Sequence, residues 1–213
     1  MDMNYFIANA SGTLNDKQEL IKLAFNKVVK AATKSLSADK IDIIFIDAPE
    51  NTIEELGIGG YTATKNLIYI SLNPKFNINT IDLESGMLHE IHHAIRWRKP
   101  GFGNTLAEVL ITEGLATLFE EETTGKTPIY AKVKYNKKCE ELAKKEMNND
   151  KFNYDDWFVS GNKDIPKWFG YTYGYLCTKE LSKNINKTSS QLVNYNSFKF
   201  QLSASKDIIL TCD

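Results

Sequence analysis

The stretch Leu88-His89-Glu90-Ile91-His92-His93-Ala94 is the one around which this chain is built. It holds all three histidines of the 213-residue sequence. It also completes the pattern H-E-x-x-H, with a further histidine at the second x. On a helix, His89 and His93 stand four residues apart, project from one side and can bind a single metal ion together. Glu90 sits beside them, where a carboxylate could take a proton from a water activated by that metal. Five residues of this kind also arise by coincidence, so the weight of the pattern rests on its surroundings.

A helix is well signalled there. Asn79 or Thr80 can cap it, Asp82 and Glu84 suit the positive end of its dipole, and Lys99-Pro100-Gly101 stops it. At about 100° per residue, Met87, Leu88, Ile91, Ala94 and Ile95 form one apolar stripe, while His89 and His93 point to nearly the opposite side. Gly86, one turn before, leaves room on the histidine side. A lone histidine is ordinarily a satisfied core or surface residue, but this apolar stripe is complete without the pair. His92 points between the two faces, which suits a supporting or surface position better than a ligand.

A second helix is expected from roughly Thr105 to Glu121. It sets Glu113 on a stripe with Leu106, Val109, Leu110 and Ala116. An unpaired buried carboxylate costs several kcal/mol, so Glu113 needs a partner. A zinc ion held by two histidines is such a partner, and it requires a third protein ligand while keeping one position for water. A salt bridge, or an exposed helix end at Gly114, would explain Glu113 taken alone; beside the histidine pair the metal is the better account. Glu108, Glu120 and Glu121 are weaker candidates, lying off the stripe or near the helix end.

Composition narrows the remaining classes. With 26 basic against 27 acidic residues the net charge is −1, which argues for neither nucleic acid nor a membrane surface. Cys139, Cys177 and Cys212 are odd in number, widely spaced and without a C-x-x-C pair, so they form no disulfide framework. No apolar run approaches the ~20 residues of a membrane span, and the N-terminus lacks the basic start and apolar run of a secretion signal. A reducing cytoplasm is the expected setting.

The rest of the chain supplies scaffold. Asn15 or Asp16 can cap a helix to about Ser35, and Ile41–Asp47 (IDIIFID) is strand-like. Gly57 to Ala63 and Leu67 to Leu72 form a hairpin whose first arm is glycine-rich, ended by Asn73-Pro74. Pro128 to Asn149 is expected to be a lysine-rich helix with a solvated charged face. Nine aromatics follow between Phe152 and Tyr175, most of them core, with a helix from about Tyr171 to Ser182. Beyond Asn184, Phe198, Phe200 and Ile208-Ile209-Leu210 read as packing residues.

H-E-x-x-H at 89–93 with Glu113 in Thr112-Glu113-Gly114-Leu115-Ala116 resembles the gluzincin arrangement of thermolysin-like metallopeptidases. The 20-residue gap (113 − 93) is of the length those enzymes use. The fuller string, HEIHHAIR, TLAEVLITEGLATLFE and PKWFGYTYGY, is similar to a family of uncharacterised bacterial domains predicted to be zinc-dependent proteases, over roughly residues 40–185. The resemblance implies one zinc ion on His89, His93 and Glu113, Glu90 as general base, and a peptide or protein substrate. It implies a tyrosine as oxyanion donor, with Tyr171 or Tyr175 the candidates, either of which could instead simply pack. In zincins an edge strand beside the active-site helix pairs with extended substrate, a role that Gly59–Ala63 would fill. One departure stands out: gluzincins often place an acidic residue one turn after the glutamate ligand to orient a histidine, and here that position is Thr117.

The expected fold is α+β and zincin-like, a single domain over 1–213. A small mixed sheet with the active-site helix makes an N-terminal lobe to about 100, and a helical lobe follows. The expected activity is peptide-bond hydrolysis. A non-catalytic zinc-binding or scaffold domain, or a zinc hydrolase of other substrates, would use the same ligands.

Overall fold

Period-two alternation in Met3–Ala8 turns Met3, Tyr5 and Ile7 inward and makes a strand, β1, additional to those expected from the sequence. Ile41–Asp47 is β2, Ile58–Thr64 is β3 and Leu67–Leu72 is β4. In the computed structural model, which describes residues 3–195, these strands form one mixed sheet in the order β1-β2-β4-β3. β1, β2 and β4 run parallel, and β3 returns antiparallel along β4, with Gly60 opposite Ile70 and Tyr61 opposite Tyr69. β3 is therefore an edge strand, and an irregularity between Thr62 and Thr64 leaves Ala63 out of the ladder.

Two helices pack with this sheet. α1, Gln18–Leu36, buries Ile21, Ala24, Phe25, Val28 and Val29, and Phe25 meets Tyr5 of β1 at 4.6 Å between ring centroids. Neither Asn15 nor Asp16 caps it. Residues Asn15–Lys17 form a 3-10 turn, and the Asn15 side chain is engaged by the Asn9 and Gln18 amides. α2, Thr80–Arg98, is the motif helix. Asn79 caps it by accepting from the Ile81 amide at 2.8 Å, and every residue from Met87 to Arg96 is buried. Against Gly86, the side chain of Ile58 fills the expected space, its Cγ2 3.5 Å from where a Cβ would stand.

The chain packs as two units. One comprises the described residues up to Lys99 together with Phe119–Lys126; the other comprises Pro100–Leu118 and the described residues from Thr127 onward. α3, Leu106–Thr124, contributes to both. It starts with a capping box: the Glu108 carboxylate accepts from the Thr105 amide at 2.9 Å, and Thr105 Oγ1 from the Glu108 amide at 3.4 Å. That local task explains Glu108.

In the second unit the lysine-rich helix is shorter than expected. Ile129–Ala131 is a 3-10 turn, and α4 spans only Lys137–Glu146. The Thr172 hydroxyl donates to the Tyr130 carbonyl and accepts from the Val133 amide, so these backbone groups bond away from any helix. Asn136 then caps a new start at the Cys139 amide. Asp155–Val159 forms a π-helical turn. α5, Phe169–Ile185, follows Trp168 in left-handed conformation. α3 and α5 cross backbone against backbone: a Cβ on Gly114 would overlap the Gly174 carbonyl, and one on Gly174 the Leu110 carbonyl. Trp157, Phe158, Phe169 and Tyr173 are core here, as the aromatic cluster suggested. Cys139 and Cys177 are free, buried thiols. Phe198, Phe200, Ile208-Ile209-Leu210 and Cys212 lie outside the described residues. The architecture is the α+β, zincin-like one expected, with a small mixed sheet, a motif helix packed on it and a helical second unit.

Candidate metal centre

Four-residue spacing on α2 brings His89 and His93 together, with ring centroids 4.5 Å apart and planes nearly perpendicular. Glu113 of α3 joins them. His89, His93 and Glu113 are all buried, and each offers one ligand atom lying within 4.8 Å of the others. Two imidazole nitrogens and one carboxylate oxygen are the donor set zinc favours where a position is kept for water. The burial of Glu113, 2% exposed, supplies the physical reason for a cation there, since a carboxylate is driven to find positive charge in such surroundings. The residues present thus fit a zinc ion.

The orientation of His89 is set by a residue outside the expected ligand set. His89 Nδ1 lies 2.7 Å from Glu120 Oε1, and Ser85 Oγ donates to Glu120 Oε2 at 2.5 Å. With Nδ1 held by a carboxylate, Nε2 is the nitrogen left to face a metal. Glu120 is 1% exposed. It follows Glu113 by seven residues, two helical turns, and so returns to the same side of α3; that spacing was the available signal. Thr117, one turn after Glu113, is fully buried, and its hydroxyl makes no hydrogen bond among the described residues. The acidic partner therefore stands two turns after Glu113 instead of one. His92 is fully buried against Phe119, with 5.7 Å between ring centroids, which removes the surface alternative for it.

Glu90 is held from the sheet side. Thr62 Oγ1, on edge strand β3, donates to Glu90 Oε2 at 2.6 Å. Its single proton goes to the carboxylate in preference to the Glu90 carbonyl, 2.9 Å away. The other carboxylate oxygen rests against Gly60, where any Cβ would collide with Oε1 and with Cγ. Glycine at 60 is what lets the strand lie so close to this carboxyl group.

The tyrosines divide. Tyr154, unforeseen in the sequence, donates from its hydroxyl to Glu113 Oε1 at 2.9 Å, and the Tyr171 hydroxyl is 3.3 Å from that of Tyr154. Burial of the Tyr154 hydroxyl, with the Glu113 charge beside it, holds its proton well above the ordinary tyrosine range, so it acts as a donor. Tyr175 packs with Leu118 and Ala131, and its hydroxyl accepts from Lys179 Nζ at 2.5 Å. Tyr154 opens the π-helical turn with helical backbone of its own, and no periodicity points to it.

A family described as predicted Zn-dependent proteases (DUF2268) matches residues 18–201. The chain belongs to this family. No curated protein and no solved structure matches it. As a member of the predicted Zn-dependent protease family, the protein carries the buried donor set such a description calls for. Among its described residues, no helix is long and apolar enough to cross a membrane. The outer contacts of the centre are open to test. Replacing Glu120 by alanine should weaken zinc binding by about 10–100-fold, the usual effect of losing a carboxylate behind a ligating histidine. Competition with a chromophoric chelator measures this, and wild-type affinity in the variant would show that His89 does not depend on Glu120.

Proposed function

We propose that the protein is a zinc-dependent peptidase of the gluzincin type, binding one zinc ion through His89, His93 and Glu113. The observation that supports this most is the convergence of these three buried side chains, two of them on the helix segment that also carries the Glu90 carboxyl held by edge strand β3. A bound zinc ion would supply Lewis acidity, making water acidic and polarising a carbonyl.

Glu90 is the general base. Its carboxylate takes the proton of the attacking water and later delivers it to the leaving amine. Thr62 donates to Oε2 and keeps the carboxyl group in one orientation. The substrate lies extended along Gly59–Ala63 of β3, adding a strand through main-chain hydrogen bonds. A tyrosine hydroxyl stabilises the oxyanion. Of the two candidates, Tyr171 is favoured over Tyr175, because its hydroxyl lies beside the Tyr154 hydroxyl that bonds Glu113. Free thiols at Cys139 and Cys177 accord with a reducing compartment such as the cytoplasm.

Fluorescein-labelled casein, an unfolded protein that offers many peptide bonds, is the test substrate. The zinc-loaded protein should cleave it, a chelator should stop cleavage, and added zinc should restore it. Zinc binding with no cleavage of casein or of a mixed peptide library would overturn the peptidase reading.

A further inference from the structure

Tyr154 stands apart from the motif residues. It lies 41 residues after Glu113 in sequence, in helical conformation at the head of the π-helical turn Asp155–Val159. Tyr154 is 37% exposed, yet its hydroxyl reaches the carboxylate of Glu113, a residue only 2% exposed. Three features hold it there. The ring stacks on that of Phe158, with centroids 4.7 Å apart and planes 20° apart. Phe158 is itself fully buried in the core of the second unit. Tyr171 of α5, which also packs edge-on against Phe158, sets its hydroxyl 3.3 Å from that of Tyr154. A solvent-facing tyrosine with no task would leave its hydroxyl in water; this one is anchored so that the hydroxyl meets Glu113.

We infer that Tyr154 is the positioning residue of Glu113, fixing the carboxylate in the orientation in which it serves as a zinc ligand. The inference rests on the zinc-centre reading above. Its chemistry is that of the Glu120–His89 contact applied to the third ligand. A carboxylate on a helix turns about its side-chain torsions, and an ion gains from it only when one oxygen is aimed at the site. A neutral hydroxyl donating at 2.9 Å aims it without adding a competing positive charge. The opposite possibility is that Tyr154 merely occupies Glu113 and must be displaced by the metal. The two make opposite predictions for the same measurement.

Tyr154→Phe keeps the ring stacked on Phe158 and removes only the donor. Zinc affinity is measured by chelator competition on wild type, Tyr154→Phe, Tyr171→Phe and Glu113→Ala. The thermal unfolding of each metal-free protein is recorded in parallel. The expected result is a ~10–100-fold weaker affinity for Tyr154→Phe, the range seen when the partner of a metal ligand is lost, with metal-free unfolding close to wild type. Tyr171→Phe, one hydroxyl further out, should show a smaller loss. Wild-type affinity in Tyr154→Phe would overturn the inference, and so would tighter binding, which would identify Tyr154 as a competitor. If Tyr154→Phe unfolds early when metal-free, the Tyr171→Phe affinity decides alone: unchanged binding there counts against the inference. Unchanged affinity in Glu113→Ala would strike at the ligand assignment itself, a result distinct from any of these.

Discussion

Glu90→Gln is expected to bind zinc as wild type does and to lose casein hydrolysis by about 10²–10⁴-fold, the usual contribution of a general base. The substitution is close to isosteric. Glutamine keeps an oxygen able to accept from Thr62 Oγ1 and fits against Gly60 as the carboxylate does, so the neighbourhood of His89 and His93 is undisturbed. What disappears is basicity: an amide cannot take the proton of the attacking water. Zinc per chain and the rate of casein cleavage should be measured on the same preparation. Full activity with full zinc would sink the assignment of Glu90. Lost activity with lost zinc would show instead that Glu90 helps to hold the metal.

Glu113→Ala carries the largest expected change in metal binding, beyond the 10–100-fold assigned to the outer partners Glu120 and Tyr154. Removing a ligand leaves two protein donors where zinc needs three and a water. The effect on stability separates this from general damage. Zinc at one hundred times its dissociation constant should stabilise the wild-type fold by about 2.7 kcal/mol. That increment should vanish in the variant at the same zinc concentration. The metal-free variant should unfold at or near the wild-type temperature, since the deletion removes the desolvation cost of a buried negative charge together with its bond from Tyr154, two effects of opposite sign. Chemical denaturation with and without zinc gives both quantities. A zinc-dependent increment that survives in Glu113→Ala would remove Glu113 from the ligand set.

Much of the motif helix was legible because short-range rules govern it. Asn79 caps α2, the His89–His93 spacing is one helical turn, and the carboxylate at 113 falls on an otherwise apolar stripe and is buried. Each of these is a statement about neighbours along the chain, and each has its counterpart in the fold. IDIIFID and the glycine-rich hairpin were readable for the same reason. Contacts between distant segments were not. Tyr154 reaches Glu113 from a segment with no periodicity. The lysine-rich helix is cut short because Thr172, on α5, takes up the backbone near Tyr130 and Val133. Glu120 lay within reach of sequence reasoning, two turns beyond Glu113, but a one-turn expectation drew attention to Thr117. β1 shows plain alternation, yet its apolar residues are diluted by Asn4 and by the outward-facing, 54% exposed Phe6.

The burial of α2 on all sides from Met87 to Arg96 has a kinetic meaning. His89 and His93 sit on backbone that reaches solvent only through opening of the surrounding structure, at the high end of the protein's range of local stabilities. The two imidazoles therefore keep their spacing whether or not an ion is bound, and little has to be ordered when one arrives. Metal uptake would then need no folding step. The backbone amides of 89–93 would exchange with deuterium about as slowly before loading as after it.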